Sequence, residues 1–397
     1  MEFALTKNQE KWQKIAREFV EKYIIPEVGR RDRIENAKDR IPWDWITEAD
    51  KIGLRTLGIS KKYGGEEADI LTLCVVGEEL AVGDLGFAVI MDQCWKMAHL
   101  FSDAMTTDQQ EQFIPNFVSD PEATTAIGVT EPGAGSDLAS LQCKAVREGD
   151  KYIINGTKIW TTHAHLANKI FCLVRTDNSG KKQEGITFLM LDMNQPGIKV
   201  EPILTMAQDH DFNQVVFTDA IADVKDRIGK ENEGWSVAKY LLEFERSGGV
   251  GGSKSLSDIQ FIKKLMNKIS VTHNDTSFID VYSTKVTELE IKAQSIQYTA
   301  LRILSSLKGG DSPGPESSMM KTLVTDLEQE ISEVTLEIIG YYGIPFQDTS
   351  LGSNEPAIGD ESFRAIAGKY QNLRATTIYG GSNEIQRNIM AKAVLGL

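Results

Sequence analysis

The spacing of apolar residues changes twice along this chain. Residues 1–121 carry helical spacing: Trp12, Ile15, Ala16 and Phe19 recur at intervals of three and four and predict one buried helix face. The run "LTLCVVGEELAVGDLGFAVIMDQCWKMAHLF" continues that texture, broken at Gly83 and Gly86, and "ISKKYGGEEADIL" (59–71) predicts a Gly-Gly loop between helices. From 122 to 230 the texture becomes one of short β-rich runs: "TTAIGVT", "KYIINGTKIWTTHA", "KIFCLVRTD", "GITFLMLDM", "GIKVEPIL" and "NQVVFTDAIADV". Turn dipeptides such as Gly149-Asp150 and Asn155-Gly156 are expected to separate them. Strands without intervening helices predict an antiparallel sandwich or barrel. Helical spacing returns from 231, interrupted by "SLKGGDSPGPESS" (306–318), which reads as an exposed connector between long helices. The chain therefore reads as an α+β multidomain protein: an α-helical domain (1–121), a β domain (122–230) and a second α-helical domain (231–397), with a cleft expected where the three meet.

Composition narrows the function classes. A length of 397 residues calls for two or three cores, and 41% hydrophobic with 25% charged residues is a globular balance. No run approaches the ~18–20 apolar residues that span a membrane. The N-terminal "MEFALTKNQEKWQKIAREF" lacks a basic segment followed by an apolar block, so no secretory signal is read there and a cytoplasmic location is expected. A net charge of −14 argues against a nucleic-acid partner, which needs a basic surface. Cys74, Cys94, Cys143 and Cys172 show no CxxC spacing and read as reduced thiols. His163 and His165 form a close pair with no third ligand in view; they read as loop or strand histidines, and no metal site is expected.

Three stretches bear on chemistry. In "GVTEPGAGSDLASL" (128–141) a strand ends at Thr130, Pro132-Gly133 turns the chain, and Gly135 and Ser136 leave the main chain open to a planar or phosphate-bearing ligand. A tight connector has the same composition. "NGTKIWTTHA" (155–164) puts Trp160 and Thr162 on one face of a strand, as a ring-binding plane and hydroxyl or as a core tryptophan and its neighbour. "GGVGGSKS" (248–255) falls short of a P-loop: Ser253 stands before Lys254 where a glycine is needed, and a helix leads into it. A small-residue helix segment in close packing is predicted instead.

Taken together, "TEPGAGSD" and "NGTKIWTT" at this separation resemble the flavin-binding segments of the acyl-CoA dehydrogenase family. The resemblance runs through nearly the whole chain, including "LGISKKYGGEEADILTLCVVGEELA", "RIGKENEGWSVAKYLLEFERSGG" and the C-terminal "RATTIYGGSNEIQRNIMAKAVLG". It implies an N-terminal α-helical domain, a middle antiparallel β-barrel domain and a C-terminal four-helix bundle. It also implies FAD as cofactor, held by Thr130 and Ser136 with the backbone of Val129 and Gly135. Trp160 would lie against the isoalloxazine and Thr162 would donate near N5, while Gly380, Gly381, Ser382 and Glu384 would line the ribityl and diphosphate side. The implied reaction is α,β-dehydrogenation of an acyl-CoA, in which a carboxylate removes the α-proton and the β-hydride passes to flavin N5. On the substrate side the resemblance places Ser136, Arg246 and the Gly380 N–H.

The resemblance also has gaps. Many members carry the base in "YEGT", but this chain reads Tyr379-Gly380-Gly381-Ser382. Others carry it in an "ER" pair on a later helix, and "LLEFERSGG" (241–249) puts Glu245 and Arg246 there, so Glu245 is taken as the base. Glu243 lies ~200° around a helix from it and is a poor substitute. The family's RxxFG and QxxGGxG segments are missing, with only Gly340 and Gly343 left in "EIIGYYGIPF", so no adenosine-side contact is assigned. These departures resemble a bacterial branch acting on dicarboxylic, ring-derived or steroid side-chain acyl-CoAs, some of whose members pair two related chains. A homo-oligomer or a heterotetramer, with an electron-transferring flavoprotein as acceptor, is the implied setting. The alternatives are a non-catalytic partner subunit, or a flavoenzyme of this fold with another reaction.

Overall fold

The computed structural model describes residues 4–31, 33–34, 37–239, 250–273, 277–307, 314–347 and 354–397. Its contacts gather into two compact units, each assembled from separate stretches of chain: Ile41–Glu67 with Gln93–Leu242, and Met1–Arg40 with Ala68–Asp92 and Glu243–Leu397. No helix among the described residues is long and apolar enough to cross a membrane.

The first unit is organised by an eight-stranded sheet. Its strands are β1 (Thr125–Gly128), β2 (Lys144–Glu148), β3 (Lys151–Thr162), β4 (Lys169–Arg175), β5 (Ile186–Asp192), β6 (Ile198–Ile203), β7 (Phe212–Asp223) and β8 (Arg227–Ile228). They lie in the order β6-β7-β3-β2-β4-β5-β8, with β1 beside β4. Neighbours run antiparallel except β1–β4 and a one-residue contact of β2 with β4, so the sheet is mixed where the short runs alone predict only antiparallel pairing. β4 explains the layering. Its unbroken apolar run is buried on both faces: Ile170, Cys172 and Val174 join Tyr152, Val215 and Phe217 in one core. Phe171 and Leu173 point the other way, into a second core with Phe101, Ile114 and Phe117 from the helices Leu85–Ala104 and Thr107–Ser119. Arg55, fully buried, ties this layer down by donating to Asp50 Oδ1 (2.7 Å), Phe117 O (3.0 Å) and Val118 O (2.9 Å).

One turn expectation fails. Gly149-Asp150 does connect β2 to β3, but Asn155-Gly156 lies inside β3, where the pairing with β7 slips register. The reason is local crowding: a β-carbon at Gly156 would sit 2.6 Å from Cys143 Cα, so glycine is needed for close approach and not for a turn. Asn155 instead bridges to Asp219 across the slip through Nδ2 to Oδ1 (2.9 Å) and Oδ1 from the Asp219 N–H (3.0 Å).

The second unit is helical. We number its helices α1 (Lys7–Phe19), α2 (Ile70–Gly83), α3 (Val250–His273), α4 (Ser277–Leu307), α5 (Glu316–Ile339), α6 (Arg364–Leu373) and α7 (Asn383–Met390). α1 starts at a Thr6/Gln9 capping box and buries Trp12, Ala16 and Phe19. Gly83 lets α2 come close, since a β-carbon there would lie 2.6 Å from Val20 Cγ1. α3, α4, α5 and α6 share a core that includes Ile262, Leu289, Ala293, Leu327, Ile331 and Ile366, the packing that the returning helical spacing predicts. Within α3, Lys254 is buried and paired with Glu328 (2.8 Å), a structural ion pair where the sequence superficially suggested a phosphate loop. Of the connector expected at 306–318, residues 308–313 lie outside the described residues.

Candidate active site

In the sheet unit, the loop after β1 is fixed at its root and bare at its tip. The Ile159 N–H donates to Thr130 O (2.9 Å), and Glu131 and Ala134 exchange backbone hydrogen bonds (3.2 and 3.0 Å) around Pro132-Gly133. Ala134 is buried, while Gly133, Gly135 and Ser136 are exposed. A β-carbon at Gly133 or Gly135 meets nothing within 4 Å, so the main chain there is open to an approaching ligand. Opposite, β3 slips register against β7 between Lys158 and Thr161, and Trp160 adopts a φ of +59°. A bulky residue in that region is strained, and such strain is kept where surroundings impose it. The bulge turns Thr161 inward and leaves Trp160 55% exposed, with Thr162 half-buried. The hydroxyls of Thr130, Ser136 and Thr162 make no hydrogen bond to any described residue. Three idle hydroxyls, an exposed indole and open glycines together form a surface suited to a flat, polar-edged ligand.

Beyond Thr162, three of the five histidines cluster. His165 stacks on His210 with ring centroids 4.2 Å apart, and His163 meets His165 edge-on. Buried Asn213 links them: its Oδ1 pairs with His210 Nε2 (2.8 Å), and its Nδ2 reaches His165 Nδ1 and Thr161 O (both 3.1 Å). Burial above all, then His210 and His163, pushes the His165 pKa down to about 4; His163 is lowered too, chiefly by burial. Among the described residues no group of three or more His, Cys, Asp or Glu is placed to hold a metal ion. The histidine pair read from the sequence thus sits in a turn and belongs to a network whose other half, His210 and Asn213, comes from a distant strand start.

In the helical unit, Gly380 and Gly381 both take left-handed φ values, +63° and +84°. A β-carbon at Gly380 meets nothing within 4 Å. Ser382 caps α7, its Oγ accepting the Ile385 N–H (3.4 Å). Glu384 is exposed, and its carboxyl is held below the usual range, first by its own backbone N–H and then by Ser382. Two neighbouring residues without a local sequence signal, Asn383 and Gln386, hold this turn. Asn383 is buried and accepts from Lys321 Nζ (2.8 Å) and Thr325 Oγ1 (3.2 Å), while its Nδ2 donates to Asp326 Oδ1 (2.9 Å). Gln386 donates to Gly381 O (3.1 Å). Val129, Thr130, Gly135, Ser136, Trp160 and Thr162 therefore lie in the sheet unit, and Gly380, Gly381, Ser382 and Glu384 in the helical unit. Glu245 and Arg246 lie outside the described residues.

Family profiles for the N-terminal, middle and C-terminal domains of acyl-CoA dehydrogenase match residues 6–120, 126–220 and 232–395. Acyl-CoA dehydrogenase IpdE1 of Mycobacterium tuberculosis is 31% identical over 367 residues, covering 89% of this chain and 87% of the relative. This chain is a member of the acyl-CoA dehydrogenase family. Acyl-CoA dehydrogenase FadE29 of the same organism is 33% identical over 72% of this chain and 71% of its own. Among solved structures, butyryl-CoA dehydrogenase from Megasphaera elsdenii superposes with a TM-score of 0.80 at 24% identity over the full length of both chains. A chain of the ChsE4-ChsE5 complex from M. tuberculosis gives 0.79 at 26% identity, covering 100% of this chain and 99% of that one. The helical, β, helical order read from apolar spacing is that of the acyl-CoA dehydrogenase fold.

Proposed function

We propose that this family member catalyses FAD-dependent α,β-dehydrogenation of an acyl-CoA thioester to the 2-enoyl-CoA, with Glu245 as general base. The observation that carries the flavin reading is the set of hydroxyls on Thr130, Ser136 and Thr162, none of them hydrogen-bonded to a described residue, beside the strained and exposed Trp160. Those residues fit a ring with a polar edge: Thr130, Ser136 and the main chain of Val129 and Gly135 would hold the edge, Trp160 would cover the ring and Thr162 would donate near N5. Gly380, Gly381, Ser382 and Glu384, at the start of α7, would take the ribityl and diphosphate side, where backbone N–H groups favour anions. FAD, when bound, supplies the hydride acceptor. The chain supplies the rest: Glu245 removes the α-proton, the Gly380 N–H polarises the thioester carbonyl, and Ser136 and Arg246 contact the substrate.

Gly380 brings no carboxylate, and the resemblance to family members with an ER pair is what supports Glu245 as the base. The test is anaerobic mixing of purified protein with a panel from butyryl-CoA to steroid side-chain acyl-CoAs. Glu245→Gln is expected to slow flavin bleaching by roughly 10²–10⁴-fold, the range a positioned base contributes; bleaching at the wild-type rate would remove Glu245 from the role. An electron-transferring flavoprotein is the proposed acceptor. The likeness to a chain of the ChsE4-ChsE5 complex favours a second setting, in which this chain pairs with a related one. Protein that purifies yellow and active alone argues for a homo-oligomer; protein that takes up flavin only with a related chain argues for the heteromer.

A further inference from the structure

We propose that Lys158 and Glu131 form a buried clamp that sets the spacing between the two flavin-facing segments of the sheet unit, and so act as positioning residues; this rests on the flavin reading above. Lys158 has no exposed surface and Glu131 almost none. The Lys158 ammonium donates to Glu131 Oε1 (2.7 Å) and to Val129 O (3.2 Å). The Glu131 carboxylate also accepts the backbone N–H groups of Gln142 (2.5 Å) and Cys143 (2.9 Å). One end of the clamp is therefore on β3, two residues before Trp160. The other end grips both limbs of the 129–143 loop, between which Gly135 and Ser136 are displayed.

An ion pair taken out of water loses hydration that its own attraction only partly restores, so apolar residues of similar size often hold a fold as well or better. What apolar residues cannot do here is satisfy Val129 O and the N–H groups of Gln142 and Cys143, which the clamp serves at once. The chain makes room for it. The atoms nearest the place of a β-carbon at Gly128 are Ile170 Cδ1 (3.0 Å), Cys172 Sγ (3.1 Å) and Lys158 Cγ (3.3 Å), so a side chain there would press on the lysine stem among them. At the far end of the loop a second device, Arg175, donates to Ala139 O (2.6 Å) and, more distantly, to Leu141 O (3.5 Å). The loop is thus fastened at both ends and free at Gly133, Gly135 and Ser136, the positions left open to a ligand.

Full-length Lys158→Met and Glu131→Gln proteins, stripped of flavin, are titrated with FAD at a temperature where their far-ultraviolet circular dichroism matches wild type. The near-isosteric Glu131→Gln keeps the test open if Lys158→Met fails to fold. Positioning predicts that the Kd for FAD rises by about tenfold or more, and that the visible circular dichroism of bound flavin changes. A role in stability alone lowers the melting temperature and leaves both readouts at wild-type values; that result overturns the clamp and spares the flavin reading. A wild-type protein that binds no FAD overturns the flavin reading and the clamp with it.

Discussion

A β-carbon at position 380 has nothing within 4 Å of it, yet the backbone there has a φ of +63°. Space favours a side chain and conformation opposes one, so magnitudes decide. A non-glycine residue in the left-handed region costs about 1–3 kcal/mol, which a protein of ordinary stability can absorb. Gly380→Glu is therefore expected to fold, and in the Glu245→Gln background to place a carboxylate where the resemblance of "YGGS" to the family's "YEGT" would put one. The double variant should bleach flavin faster than Glu245→Gln alone and more slowly than wild type, because a base that is not in the productive geometry loses rate. Stopped-flow reduction with one acyl-CoA compares the three proteins directly. A double variant no faster than Glu245→Gln would show that position 380 does not face the α-carbon in this chain.

The turn that carries Gly380 is built by α5 as much as by its own residues. Asn383 is 3% exposed and is bonded to Lys321, Thr325 and Asp326, all on that helix. Removing it takes one hydrogen bond from buried Thr325 and one each from the charged, partly exposed Lys321 and Asp326, and a hydrogen bond to a charged group is worth about 1.5–3 kcal/mol. Asn383→Ala is thus expected to destabilise by roughly 2–4 kcal/mol, read from urea unfolding. Ser382→Ala, which loses only a cap, should cost about 1 kcal/mol. Equal losses in the two variants would mean that α7 is held by its cap and not by α5. This contrast explains what the sequence could disclose. Gly380, Gly381 and Ser382 are legible because their conformational and capping preferences are local. Asn383 is illegible because its partners lie about sixty residues back and only packing brings them near. Lys158 and Glu131 are hidden in the same way: a lysine on an amphipathic strand reads as solvated until its neighbours are known. Trp160 and Thr162 were legible as a pair on one strand face, but the bulge that exposes the indole was not.

At the scale of the molecule, apolar spacing reports which segments are helix or strand and stays silent on which of them share a core. The sheet unit makes the point. Phe171, Leu173, Ile186 and Phe188 are fully buried, and they pack with Ile59, Met97, Leu100, Phe101, Ile114 and Phe117, none of which lies in 122–230. Residues 122–230 cut out alone would bare those four side chains on one face of the sheet. At about 1.5–3 kcal/mol each the loss is roughly 6–12 kcal/mol, as large as the whole stability of a typical domain. The isolated segment is therefore expected to unfold without a cooperative transition and to bind a hydrophobic dye. A longer piece, 41–242, restores Arg55 with its bonds to Asp50 and to the carbonyls of Phe117 and Val118, along with the helices that cover Phe171 and Phe188. That piece should show a sigmoidal urea transition by near-ultraviolet circular dichroism. If 122–230 alone unfolds just as sharply, the second core is dispensable, and the sheet holds itself together through the Tyr152–Val215–Phe217 core.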